Sequence, residues 1–217
     1  MTEELQKQRI AHLLLAIQAV FLRPEEPFRW ASGIISPIYC DNRLTLSYPK
    51  LRDELEDGLA GLIRSNYPEA EALMGTATAG IAHAALVAQR LSLPMGYVRS
   101  GAKSHGRENR IEGKLEAGQK VVVIEDLIST GGSALEAADC LRQAGADVLG
   151  VVAIVSYGMK KSRVSFSEAG LSLHSLTDFD AIIRVAVEEG YIEEKQRKGL
   201  LMFRDNPDNQ DWFGEIK

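Results

Sequence analysis

Cysteine is almost missing from this 217-residue chain, which has only Cys40 and Cys140. Two thiols so far apart build no disulfide framework and lack metal-ligand spacing, so free buried thiols in a reducing compartment are expected. Long apolar runs are missing as well. None approaches the roughly 18 residues of a membrane span, and the opening stretch, charged from Glu3 onward, lacks the features of a signal peptide. A basic excess is also lacking: 25 Lys and Arg face 30 Asp and Glu, a net charge of −5. That balance argues against a general nucleic-acid binder. No Gly-x-x-x-x-Gly-Lys loop and no dinucleotide glycine fingerprint occurs, which argues against a P-loop nucleotidase and a Rossmann dehydrogenase. The expectation is a soluble cytoplasmic protein with neither membrane nor nucleic-acid partners.

What the chain does have is an ordinary globular composition, 45% hydrophobic and 25% charged, enough for one large domain with a small appendage. Apolar residues at Ile10, Leu13, Leu14, Ile17 and Val20 predict an amphipathic helix over 4–20. The segment 28–40 predicts two short strands around Ser-Gly and Ser-Pro turns. A helix over 48–65 should follow, with Ser47 as its cap and Pro49 in its first turn. Strands are then expected at 72–74, 95–98, 120–124, 148–155 and near Leu173, with helices over 80–90, 133–144 and 159–169 between them. This alternation predicts an α/β fold with a central parallel five-stranded sheet flanked by helices. Three regions result: an N-terminal helix and cap over 1–45, a core over 46–190, and a polar C-terminal segment, 191–217, joining the cap.

The most informative stretch is 121–133, VVVIEDLISTGGS. Four apolar residues, Val121 to Ile124, suit a strand buried on both faces. Then come two acids, Glu125 and Asp126, and after Leu127 and Ile128 a turn of Ser129, Thr130, Gly131, Gly132 and Ser133 that opens a helix. Glycines there let backbone N–H groups converge on a phosphate at the helix start. The plain alternative is a strand-to-helix turn capped by Ser133, but the acid pair beside it lowers that reading. Adjacent carboxylates in a strand suit vicinal sugar hydroxyls or a hydrated Mg2+ better than acid/base work across a glycosidic bond. A second small-residue turn, Gly75 to Gly80, is either another anion site or a common connection.

The segment 99–119 joins two strands without helical periodicity, a length typical of a functional lid. It carries Arg99, Lys103, Arg107, Arg110, Lys114 and His105 against Glu108, Glu112 and Glu116. A basic loop on an acidic protein is suited to closing over a polyanion. His12, His83 and His174 fall on predicted helices or strands and read as structural. Trp30 and Tyr39 read as cap-core residues, and the run from Asp205 to Asp211 as a solvated end.

These residues resemble a known family. Glu125-Asp126-x-x-Ser129-Thr130-Gly131-Gly132-Ser133 is similar to the phosphoribosyl-pyrophosphate signature of type I phosphoribosyltransferases. Tyr97-Val98-Arg99, Lys103-x-His105-Gly106 and Ile111-Glu112-Gly113 resemble the catalytic loop of the orotate phosphoribosyltransferase family. Ser32-Gly33-x-x-Ser36-Pro37-x-Tyr39 resembles its hood, and Gly75-x-x-x-x-Gly80-Ile81 its pyrophosphate loop. The likeness runs from about residue 10 to 190 and is nearest the Gram-positive bacterial branch. It implies a Mg2+-dependent glycosyltransferase of pyrimidine biosynthesis, a homodimer with shared active sites. Arg99, Lys103 and His105 would contact the leaving pyrophosphate across that dimer. Glu125 and Asp126 would hold the ribose, with Mg2+ bridged by substrate nearby, and 129–133 would cradle the 5-phosphate, with Ser129 near orotate. Asp126, Lys103, Arg99 and His105 are the implied catalytic set, with 125–133 binding substrate.

The chain departs from the family pattern at Ser100, where a second basic residue is common, and at Ala31, where a lysine is common. Ala82 stands in place of a proline, and Tyr157 in place of an orotate-binding arginine. The residues that read the base therefore do not follow from the resemblance. Competing readings are transfer to another base, which the Lys103-x-His105-Gly106 loop disfavours, and a regulator that senses phosphoribosyl pyrophosphate. The net charge and the lack of a helix-turn-helix segment disfavour the regulator.

Overall fold

The computed structural model describes residues 2–30, 32–101 and 110–216. The order of elements is α1 (Glu3–Ala16), β1 (Val20–Leu22), β2 (Phe28–Arg29), β3 (Ile35–Ser36), β4 (Ile38–Cys40), α2 (Pro49–Asn66), β5 (Ala72–Thr76), α3 (Ala79–Leu91), β6 (Met95–Val98) and β7 (Ile111–Glu112). It continues with β8 (Lys120–Ile128), α4 (Gly132–Gln143), β9 (Asp147–Ser156), α5 (Lys160–Glu168), β10 (Ser172–Asp178), α6 (Phe179–Glu188) and α7 (Arg197–Asp205). The central sheet has six strands in the order β10-β9-β8-β5-β6-β7, one more than the sequence predicts. The first five run parallel; β7 is an antiparallel edge, with Tyr97 opposite Glu112 and Val98 opposite Ile111. It is only two residues long, too short for a periodicity to register.

The sheet is covered on both faces, which is why its strands read as continuous apolar runs. In β8 the pleat sends Val122 and Ile124 to the layer of α1, α2, α3, α6 and α7, and Val121 and Val123 to the layer of α4 and α5. All four are fully buried, each worth about 1.5–3 kcal/mol relative to exposure. β8 also runs on to Ile128, so Glu125 and Asp126 lie within the strand instead of after its end.

Other boundaries moved for local reasons. Ser47 closes a 3-10 turn over Asn42–Ser47, so Tyr48 takes the cap position of α2 and supplies no side-chain bond. Helix α6, absent from the sequence reading, starts where the Asp178 carboxylate accepts the Ala181 N–H at 2.9 Å. The run from Asp205 to Asp211 is exposed apart from the half-buried Pro207, but the residues after it are anchored: Trp212 and Ile216 are buried, and Trp212 meets Phe203 of α7 edge-on at 5.6 Å. Trp30 meets Phe203 at 5.9 Å, so α7 touches the residue that directly follows β2. No helix among the described residues is long and apolar enough to cross a membrane.

Candidate active site

From β5 the chain passes through α3 to β6 on one side, then returns to β8 on the other side of β5. The carboxyl ends of β5 and β8 thus flank a topological switch point, the usual ligand crevice of open α/β sheets. Both motif turns open there. Gly80 makes the approach possible: a Cβ on it would lie 2.4 Å from the Ile124 carbonyl oxygen. The Thr76 hydroxyl donates to that same carbonyl at 3.2 Å.

Glu125 is buried, and its carboxylate accepts the Asp126 N–H at 3.0 Å. Burial above all, and then the neighbouring Asp126 carboxyl, pushes its pKa up to about 8, against a smaller opposite effect of the Thr76 hydroxyl. A proton or a cation relieves that arrangement. Asn42, fully buried, donates from Nδ2 to the Asp126 carbonyl at 2.8 Å, tying the segment after β4 to β8. The sequence reading missed Asn42; its signal is the polar run Asp41-Asn42-Arg43 directly after an apolar strand.

Beyond β8 a pocket of about 130 Å³ is lined by Glu125, Leu127, Ile128 and the whole turn Ser129 to Ala134. Gly131 holds φ +85° and caps α4 without any side-chain bond, so Ser133 is not the cap the plain alternative required. The first-turn amides of α4 have no intrahelical acceptor and face an anion-sized space, with the helix dipole favouring negative charge.

A second pocket, about 250 Å³, adjoins it and shares Leu127 and Ser129. Its other walls are Arg29, Trp30, Tyr39, Cys40 and Tyr157. Trp30 stacks on Tyr157 at 5.9 Å and donates from Nε1 to the Ile38 carbonyl at 3.1 Å. Trp30 and Tyr39 are thus packing residues and pocket walls at once. Burial pushes the Tyr157 phenol and the Cys40 thiol up, so both stay neutral.

Arg99 lies on the opposite side, in a cleft with Thr76, Ala77, Ser100, Arg110 and Ser133. Its N–H donates to the Arg110 carbonyl at 2.9 Å, Arg110 Nε donates back to the Arg99 carbonyl at 3.0 Å, and Arg110 pairs with Glu136 of α4 at 2.7 Å. The described limbs of the 99–119 connection are thus tied to each other at the sheet edge. Lys103 and His105, like Ala31, lie outside the described residues. The other histidines have structural partners: His12 pairs with Glu189, His83 with Glu56 in the core, and His174 meets the Tyr67 ring.

Among the described residues no three His, Cys, Asp or Glu side chains converge on a metal-sized point. The carboxyl oxygens of Glu125 and Asp126 would suit a hydrated Mg2+ held largely by water and substrate.

Comparison with known proteins agrees with this geometry. The phosphoribosyl transferase domain model matches residues 48–189. An orotate phosphoribosyltransferase of Bacillus subtilis is 58% identical over 95% of this chain and 96% of its own length. That of Halalkalibacterium halodurans is 54% identical over 96% of this chain and all of its own. Among solved structures, orotate phosphoribosyltransferase from Aeropyrum pernix superposes with a TM-score of 0.73 at 29% identity, covering 84% of this chain and 98% of its own. The matches span nearly the full length of these relatives, and the chain belongs to the orotate phosphoribosyltransferase family, with the type I phosphoribosyltransferase fold.

Proposed function

We propose that this protein transfers the phosphoribosyl group of phosphoribosyl pyrophosphate to orotate, giving orotidine 5-monophosphate and pyrophosphate in pyrimidine biosynthesis. The observation that carries this reading is the contiguity of two pockets through Leu127 and Ser129. A 5-phosphate in the turn 129–133 places the ribose against Glu125 and Asp126 and a planar base in the aromatic pocket. The carboxylates accept from the ribose 2- and 3-hydroxyls and fix the sugar's position. As the bond from C1 to pyrophosphate oxygen breaks, its electron pair leaves with the pyrophosphate, and orotate N1 donates a pair to C1. Positive charge develops on the sugar and negative charge on the leaving group. Arg99 stands on the leaving-group side, where Lys103 and His105 would join it. Mg2+, held by substrate oxygens near Glu125 and Asp126, would supply further positive charge beside the pyrophosphate. No side chain is needed as a covalent nucleophile.

The direct test follows orotate consumption with phosphoribosyl pyrophosphate and Mg2+. One pyrophosphate should appear per orotate, and a chelator should return the rate to background. Turnover of a purine or uracil in place of orotate would overturn the choice of base.

The shared dimeric site is tested through the loop. Lys103→Ala should lower turnover by on the order of 100-fold, the usual effect of one lost electrostatic donor, with unchanged thermal stability. If the loop closes over the neighbouring subunit, mixing Lys103→Ala with Asp126→Asn subunits should restore activity, because mixed dimers carry one intact site. Purely additive rates after mixing would exclude the shared site.

A further inference from the structure

Orotate differs from most pyrimidines in carrying a carboxylate, so its pocket should contain a cation. At Tyr157, where the family resemblance leads one to look for that cation, this chain has a neutral phenol, fully buried and stacked on Trp30. We infer that Arg29, the last residue of β2, is the residue that reads the base's carboxylate and so determines its selection over carboxylate-free pyrimidines. The inference rests on the functional reading above and concerns only how that site chooses its base.

Three observations converge on Arg29. It is the one cation lining the aromatic pocket, whose remaining walls are Trp30, Tyr39, Cys40, Leu127, Ser129 and Tyr157. No acid lines that pocket to neutralise it.

The other cations of the hood are already engaged. Arg23 lies over the Phe28 ring at 5.3 Å, and Arg43 holds Asp41 through two hydrogen bonds of 2.6 and 2.7 Å. The Arg29 side chain makes no hydrogen bond or ion pair with any described residue, and its cross-strand neighbour is the apolar Ile35.

The third observation is the rigidity of the platform. Arg29 is paired in a strand, and the adjacent Trp30 is locked between Tyr157, Phe203 and the Ile38 carbonyl. Arg29 thus offers a forked donor set from a fixed backbone, on a residue that lines the slot for a flat ring. Bidentate pairing with a carboxylate is the interaction for which arginine is suited and lysine is not.

The probes are two nucleotides that share ribose and 5-phosphate and differ by one carboxylate: orotidine 5-monophosphate and uridine 5-monophosphate. Their affinities for wild type, Arg29→Met and Arg29→Lys are measured by titration calorimetry. Arg29→Met should weaken orotidine 5-monophosphate by roughly 10- to 100-fold, the range of a hydrogen bond to a charged group, and leave uridine 5-monophosphate within about twofold. Arg29→Lys should recover part of the loss. In steady state, KM for orotate should rise by the same factor while KM for phosphoribosyl pyrophosphate stays unchanged.

Arg29 is exposed and without a described partner, so its replacement should not impair folding. The unaltered binding of uridine 5-monophosphate verifies this within the same experiment. An Arg29→Met protein that keeps the wild-type preference for the carboxylate-bearing nucleotide overturns the assignment. Failure of wild type to bind either nucleotide would instead overturn the functional reading.

Discussion

Replacing the acid pair by its amides, Glu125→Gln with Asp126→Asn, should lower kcat/KM for phosphoribosyl pyrophosphate by on the order of 1,000-fold. The two acceptors proposed for the ribose hydroxyls are weakened, by about 1.5–3 kcal/mol each where the acid binds ionised, and the oxygens proposed to face Mg2+ are weakened with them. The same change should make the unliganded protein more stable at alkaline pH. Glu125 titrates near 8 in the folded protein, against an ordinary 4.5, because burial disfavours its charge. Between those limits the folded state holds a proton that the unfolded chain has lost. Folding is therefore favoured at the acid end of the window and weakens as pH rises through it. Glutamine mimics the protonated acid without titrating. The single variant Glu125→Gln should thus lose less stability than wild type between roughly pH 5.5 and 8.5. Parallel thermal melts of the two proteins across that range, beside initial rates, check both halves. A variant that lost activity but tracked the wild-type pH profile would mean that Glu125 carries no raised pKa.

The second large effect is expected at Gly131. A residue with a Cβ would meet two obstacles there. The φ of +85° costs an alanine about 1–2 kcal/mol, and the new Cβ would lie 2.7 Å from the Phe166 ring. Gly131→Ala should therefore destabilise the protein by about 2–3 kcal/mol, or roughly 5–10 °C in Tm. It should impair function as well as stability. The amides that open α4 converge only while Gly131 keeps its left-handed turn, so KM for phosphoribosyl pyrophosphate should rise by more than about tenfold. Adding Phe166→Leu separates the two causes. It should return part of the stability by opening space, yet leave the KM defect, since the backbone strain remains. If the double variant regained wild-type KM, the steric contact and not the turn would be responsible.

The parts legible in the sequence were those encoded locally. VVVIEDLISTGGS announced a buried strand, an acid pair and a glycine turn because each depends on neighbouring residues only. The same holds for strand β6, which occupies the predicted residues 95–98. The strand β7 escaped notice because two residues carry no period and its partner lies across a long connection. The buried Trp212 escaped because a polar tail conceals its few apolar anchors, which acquire meaning only against Phe203 and Trp30. Helix α6 is a different matter: Asp178 and the apolar positions Phe179, Ile182, Ile183 and Ala186 offered a cap and a period that went unread.

By itself, the sequence determined the turn and acid pair that form the proposed donor half of the site. A phosphate turn and two carboxylates are contiguous in the chain, so order and spacing suffice to declare them. Tertiary structure alone assembled the pocket proposed for the acceptor. Arg29, Tyr39, Ser129 and Tyr157 come from separate segments and become one pocket only when β2, β4, β8 and β9 are brought together. Glu125 likewise became an acid titrating near 8 through burial by its surroundings. Desolvation and side-chain proximity are properties of packing, and they have no counterpart in the linear order of residues.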